Sequence, residues 1–560
     1  MKKKICNILM MAVAMVAATS CYDEQEGNDF DTRLPDVEIV IPESAYSGSL
    51  GQTITIEPIV KSEIADADLE FFWEVNGART NESGRAFFAP LVNDDEQGRI
   101  LTYTCKLDTN ITSLNKSYSC RLRAHQKSTG RNFYSADNFT ITIQGITGLM
   151  VLHSDGSSSD LGVVLADEFM PSSSSLPEKP SATSNLYSSI NGNKLSGEGI
   201  SVLQPVPSSI NWMGEAAKNR CRILLHTGNE WTWLDRNDLS MYGDWNAEFY
   251  LAGDRKVNAG NPKGFSFVGS WSFAFDGDDV FMRDPSSQAQ YLFPTYTPTL
   301  DCNGHKFTFA PVVCSVATSG IQKLMYANSV DGDKTRKGFV GLSNGRVQGI
   351  EMYTKLLDTG SDAVSFNPGD MKADVVTIKT DQRGHVVAVM KGDAAHPSFP
   401  GQYFFIDLYT KAAAAGNSGM QGFPQTVLGM SMLADANAAS AFAFGSTQNM
   451  YYYATRSDVY HYGLDGSALA PSQKLCMSDG SAINFNGEIT MMKMFDTGNV
   501  KRHDSDEILL VATWDGSQAT LYALHLDTMT GNVTKLSRFD ASTVEGWAFG
   551  KINDAYIKGL

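Results

Sequence analysis

What most limits how this chain can fold is a recurring grammar of short strands. Residues 439–444, 450–454, 459–462 and 473–476 read as four strands in a row, 488–495, 508–513, 520–526 and 533–539 as four more, and 375–379, 386–391 and 402–408 give at least three. Aromatic and β-branched residues dominate these runs, and turn residues separate them. Each group spans roughly fifty residues, the period of a four-stranded propeller blade. Such a unit has an apolar face that only a neighbouring unit can cover, and closing a ring of units hides the exposed edges. Residues 145–560 are 416 positions (560 − 144). At roughly fifty to sixty residues per blade they hold six to eight blades, and about seven is the expectation. Two further β-sandwiches are the rival fold.

Residues 36–144 read as a separate, smaller β-sandwich. Runs at 53–59, 69–75, 100–107, 117–125 and 138–143 alternate as strands, and Asn76-Gly77 reads as the turn ending the second. Tyr118-Ser119-Cys120 has the spacing of a tyrosine corner, and Trp73 stands where a strand-C tryptophan packs in an immunoglobulin domain. The 53–59 strand has no cysteine, so the usual inter-sheet bridge cannot form. The whole chain is therefore expected to be all-β, an immunoglobulin-like or PKD-like sandwich followed by a β-propeller.

The first twenty residues are built as an export signal. Lys2, Lys3 and Lys4 precede an uncharged apolar run from Ile8 to Ala18, too short to span a bilayer. The run ends Ala17-Ala18-Thr19-Ser20-Cys21, which resembles the bacterial lipobox; the resemblance implies cleavage after residue 20 and acylation, such as by palmitate, of Cys21. Residues 21–35 follow as an acidic, core-free tether. Tyr22-Asp23-Glu24-Gln25-Glu26 resembles the export signal of lipoproteins displayed on the outer face of the Bacteroidota outer membrane. The expected location is the outer membrane, facing the exterior, with lipid as the only membrane attachment.

Charge narrows the partners. The chain carries 45 basic and 62 acidic residues, and removing the three signal lysines leaves 42 − 62 = −20. Such a surface repels phosphate backbones, so nucleic acid is excluded as a partner. Eight cysteines are present. Cys105 with Cys120, and Cys302 with Cys314, are expected as local disulfide pairs or as unpaired thiols, and no C-x-x-C zinc spacing occurs.

Chemistry-bearing motifs are sparse. None of the nine histidines forms H-x-H or H-E-x-x-H, so no metal or cofactor is expected. Gly341-Leu342-Ser343-Asn344-Gly345 matches G-x-S-x-G, but the residues after it continue as a strand rather than the helix a nucleophile elbow needs. Asp276-Gly277-Asp278-Asp279 and Asp331-Gly332-Asp333 read as hairpin turns before calcium loops. Five of eight tryptophans, Trp212, Trp231, Trp233, Trp245 and Trp271, fall within sixty residues. Trp231 and Trp233 share a strand face, so Trp212, Trp231, Trp233 and Trp245 are the candidate ligand-binding residues; the alternative is that these rings fill the core.

Several passages resemble the PKD-like surface lipoproteins of SusC/SusD nutrient-uptake loci. They are Gly148-Leu149-Met150-Val151-Leu152 with Asp155-Gly156, Phe366-Asn367-Pro368, Met450-Tyr451-Tyr452-Tyr453-Ala454, the 487–493 run and the 546–551 run. The resemblance implies an accessory lipoprotein that binds nutrient, oligopeptide or glycan, beside a SusC-type TonB-dependent transporter and its SusD-type lid. It implies no catalytic residue, so the chain is read as a binding protein and not an enzyme. The alternatives are a propeller-type glycan-degrading enzyme and an adhesion lipoprotein without a small ligand.

Overall fold

A computed structural model describes residues 35–80, 86–91, 98–170, 179–203, 222–235, 238–241, 264–268, 271–276, 279–283, 293–294, 306–315, 323–331, 334–342, 369–380, 386–408, 431–432, 441–445, 450–465, 468–469, 473–494, 508–527 and 529–558. These residues are almost entirely strand. Among them one α-helix occurs, Leu186–Asn191. The chain divides into two compact units, one of Met1–Tyr46, Thr55–Tyr103 and Tyr118–Ile141, the other of Ser47–Ile54, Thr104–Ser117 and Thr142–Leu560.

In the first unit, Ala86–Pro90, Leu69–Thr80 and Ser117–Gln126 lie side by side in one antiparallel sheet, and Asn132–Tyr134 pairs with Ser117–Gln126. Val37–Val40 pairs with Ile59–Ser62 in a second, two-stranded sheet. The alternation along Ser117–Gln126 sets which face is core: Tyr118, Cys120, Leu122 and Ala124 are buried, while the arginines and histidine between them face outward. Trp73 is buried and meets Phe139 edge-on at 5.8 Å.

One sequence expectation is corrected here, and one left open is decided. Asn76-Gly77 does not end its strand, which runs on to Thr80. The pairing with Ala86–Pro90 shifts between Asn76 and Thr80, so the dipeptide marks a bulge; Asn76 is paired on both sides and Thr80 pairs with Ala86, which carries the strand past the turn dipeptide. Cys105 and Cys120 are free, buried thiols rather than a disulfide. Cys314 is buried, and Cys302 lies outside the described residues.

In the second unit, seven antiparallel sheets follow one another along the described chain. Sheet I contains Gly148–Ser154, Ser158–Leu165, Ser181–Thr183 and Leu195–Ser196; sheet II, Gly199–Leu203, Arg222–Thr227 and Trp231–Asp235; sheet III, Gly264–Val268, Trp271–Asp276, Asp279–Arg283 and Phe293–Pro294. Sheet IV contains Lys306–Ser315, Lys323–Asp331 and Lys334–Leu342; sheet V, Ala373–Thr380, Val386–Gly392, Tyr403–Leu408 and Ser431–Met432. Sheet VI runs from Ala441–Phe444 through Met450–Ala454 and Val459–Asp465 to Gln473–Lys474, and sheet VII contains Glu488–Met494, Ile508–Trp514, Ala519–Leu526 and Val533–Phe539. The last strand of the chain, Lys551–Lys558, returns to pair with Gly148–Ser154 in sheet I.

Sheets this apolar must be covered on both faces. Gly148–Ser154 is buried at every position, and Ile508–Trp514 at all but its last. One buried cluster joins sheets III, IV and V through Phe273, Met325 and Phe404; a second joins V and VI through Phe405 and Tyr451. A third joins VI and VII through Tyr452 and Leu524, and a fourth joins VII to I through Leu510, Val151 and Ile552. Gly148 opens sheet I at φ +121°, where a Cβ would stand 2.6 Å from the Val164 carbonyl, so only glycine fits.

Candidate functional site

The opening strands of sheets II, IV, V and VII carry a shared irregularity. In sheet II, Gly199 pairs with Thr227 and Ser201 with His226, leaving Ile200 as an extra residue. Val376 is extra in sheet V and Thr490 in sheet VII. In sheet IV the shift lies between Phe309 and Val313 and includes Pro311, which has no N–H to give to a ladder. The C-terminal strand repeats the pattern in sheet I, where Asn553 is extra. A bulge bends its strand and re-aims the added side chain, and bulges concentrate beside binding and catalytic sites. Two of the added residues are apolar and open to solvent: Ile200 is 50% exposed and Val376 39%.

These opening strands also lie beside one another. That of sheet III adjoins that of IV, and IV adjoins V; that of VI adjoins VII, VII adjoins the C-terminal strand, and the C-terminal strand adjoins II. Polar side chains tie the row together. Lys493 of sheet VII donates to Asp554 Oδ1 at 2.9 Å, while Asp554 Oδ2 accepts from the backbone N–H of Val202 in sheet II at 2.9 Å. Thr490 donates to the Ile552 carbonyl at 2.7 Å. Lys551 reaches Glu198 at 2.8 Å, and that contact holds the Glu198 carboxyl below its usual range. Lys379 of sheet V donates to the Phe444 carbonyl of sheet VI at 2.8 Å. The row therefore presents exposed apolar bulges and paired charges on a strongly cross-braced frame.

The tryptophan candidates divide. Trp231 and Trp233 are buried at 7% and 3% exposure, as rings that fill the core are. Trp231 stacks on His226 at 3.9 Å between ring centres, with the planes 9° apart. Neither ring displays a face to solvent. Trp212, Trp245 and Cys21 lie outside the described residues, as do Ser343-Asn344-Gly345 of the G-x-S-x-G run and Phe366-Asn367-Pro368. At the aspartate runs, Asp276 pairs with Asp279 and Asp331 with Lys334, while Gly277, Asp278, Gly332 and Asp333 lie outside the described residues. Among the described residues no group of three or more histidine, cysteine, aspartate or glutamate side chains could hold a metal.

Sequence reasoning missed Asp554, Glu198 and the bulged positions. The available signal was Asn553-Asp554, two polar residues breaking an otherwise apolar strand between Ile552 and Ala555.

Residues 21–198 match the PKD-like family. This N-terminal part of the chain is similar to that family. No curated protein matches the sequence. Among solved structures, the crystal structure of the WD40 domain of SCAP from fission yeast aligns over 61% of this chain and 74% of that one, at 7% identity and a TM-score of 0.27; that likeness carries no argument.

Proposed function

We propose that this protein is a lipoprotein of the outer membrane surface, held by an acyl chain on Cys21, whose PKD-like domain precedes a seven-bladed β-propeller. In this reading it binds a nutrient, oligopeptide or glycan, as an accessory to a SusC-type transporter and its SusD-type lid, and it catalyses no reaction. The observation that carries the reading is the position of Lys551–Lys558. It pairs into the first sheet, adjoins the opening strands of sheets VII and II, and bears the same bulge as those strands. A last strand that completes the first sheet supports ring closure, because it leaves no end sheet with an uncovered apolar face. A closed frame keeps its loops and bulges in fixed positions, which lowers the entropy cost of holding a ligand.

Three measurements test the reading. Mass spectrometry of the mature protein should find a diacylglyceryl cysteine at position 21. Protease added to intact cells should remove the protein. Affinity purification from solubilised membranes should bring down a TonB-dependent transporter with a SusD-type lipoprotein. An unmodified mature terminus, or recovery of the protein alone, would overturn it.

A further inference from the structure

The outward face of the PKD-like sheet holds a built cluster of arginines and aromatic rings. Across Leu69–Thr80 and Ser117–Gln126, Phe72 stands opposite Arg123 and Glu74 opposite Arg121. Tyr134 is registered beside Arg123, and Phe88 beside Asn76. Glu74 is the hub. It is only 8% exposed, and its two oxygens accept from Arg121 Nε at 2.8 Å and from Arg123 Nε at 2.7 Å. The Arg121 guanidinium lies 4.0 Å from the centre of the Phe88 ring and 4.4 Å from that of Tyr134, and Arg123 lies 4.3 Å from Phe72. Arg123 Nη1 also donates to Asn132 Oδ1 at 3.0 Å, and His125 Nδ1 sits 2.9 Å from the same oxygen.

Two features of the cluster point to a ligand. Two guanidinium groups share one carboxylate, so among the described residues one positive charge is unmatched; the nearby Glu70 lies 3.7 Å from Lys127. This occurs on a chain whose mature charge balance is strongly acidic. Rings and ion pairs also fix both arginines, so their remaining N–H groups are presented at little further entropy cost. Tyr134, 44% exposed, stands over Arg121 and offers a ring surface beside those donors. Ser117–Gln126 has paired neighbours on both sides, so the two arginines sit on an interior strand and are offered to a ligand through their side chains.

We infer that this face is a binding subsite for an acidic glycan: a pyranose ring packs on Tyr134 while its carboxylate takes the guanidinium donors of Arg121 and Arg123. The inference deepens the nutrient-binding reading above by naming the ligand class and placing the contact on the PKD-like domain.

The test uses the full-length, detergent-solubilised protein in affinity electrophoresis and calorimetry with polygalacturonate, neutral galactan and poly-glutamate. Polygalacturonate should bind and galactan should not. Tyr134→Ala should weaken binding about tenfold, the scale of one aromatic contact. Tyr134→Phe should retain it, and Asn132→Ala, which frees Arg123 Nη1, should not abolish it. Because Tyr134 is exposed, these variants keep the fold, and an unchanged circular-dichroism spectrum and melting temperature check that. No binding to polygalacturonate overturns the inference, as does equal binding of poly-glutamate or indifference to Tyr134→Ala. Copurification of the transporter with Tyr134→Ala separates the two proposals: that variant should bind the glycan more weakly by the same factor and keep the transporter.

Discussion

Lys493 and Asp554 meet at 2.9 Å, and through the second oxygen of Asp554 the contact extends to the Val202 amide, so one carboxylate joins sheets VII, I and II. Asp554 also accepts from its neighbour's amide, Ala555, at 2.8 Å. It is 8% exposed and fully engaged. Asp554→Ala would leave a buried N–H and an ammonium without their acceptor, at a cost of about 3 kcal/mol. Lys493→Met should cost about 1 kcal/mol, because the lysine is partly solvated and its loss leaves the carboxylate two amide donors. Urea titration of both variants checks the order; equal effects would show that the carboxylate is not the hub.

Ending the chain after Gly550 removes the strand that completes sheet I. Ile552 and Ile557 are buried in it, and each contributes roughly 1.5–3 kcal/mol by burial. The Gly148–Ser154 edge would then stand open to strand addition by another chain. The truncated protein is expected to melt at least about 5 °C lower and to self-associate by light scattering. A synthetic 551–558 peptide should restore the monomer. A truncated chain of unchanged melting temperature would contradict a closing role for this strand.

Much of this architecture is legible in the sequence, for a physical reason. Strands 508–513 and 520–526 show themselves because both of their faces are buried or half-buried, and burial imposes apolar runs. The relation between Lys551–Lys558 and Gly148–Ser154 is not legible, because some four hundred residues separate partners whose pairing is carried by backbone groups common to every residue. The bulges are equally silent: Ile200 and Val376 look like ordinary strand residues until the register around them is known. Trp231 and Trp233 show the reverse limit. Spacing places them on one face, but only packing decides whether that face is core or surface, and it is core.

Acid should weaken the fold through its histidines. His153 is buried; its Nε2 donates to the Ser184 carbonyl at 2.8 Å while Nδ1 accepts from the Gly550 amide at 3.1 Å, so only the neutral ring satisfies both. Nδ1 of His396 accepts from the amides of Ser398 and Phe399. Burial holds His153, His396 and His461 below the ordinary histidine value. The unfolded chain therefore takes up protons first as pH falls. Stability is whole above about pH 6.5 and drops below it, by up to about 1.4 kcal/mol per pH unit for each histidine until its folded value is reached. Urea midpoints at pH 7.5 and 5.5 should show the loss, and His153→Gln should flatten the slope. A midpoint independent of pH would rule the effect out.

Cys105 and Cys120 should stay reduced and inert. Burial pushes both thiols up to about 12, so thiolate is scarce at neutral pH. Iodoacetamide at pH 8 should leave both unmodified in the native protein and label both in urea, read by peptide mass spectrometry. Recovery of a Cys105–Cys120 disulfide from protein exported to the oxidising side of the membrane would contradict the free-thiol arrangement.

The buried tryptophans give the clearest separation of core from ligand site. If Trp231 and Trp233 are packing residues, acrylamide should quench their emission weakly, and Trp231→Ala or Trp233→Ala should each destabilise the protein by about 3–5 kcal/mol. Trp231→Phe should be milder, because it keeps a ring stacked on His226. None of the three should alter binding of polygalacturonate once the protein is folded, since that contact is assigned to Tyr134 on the other unit. A folded Trp231→Phe protein that had lost ligand would return the binding site to sheet II.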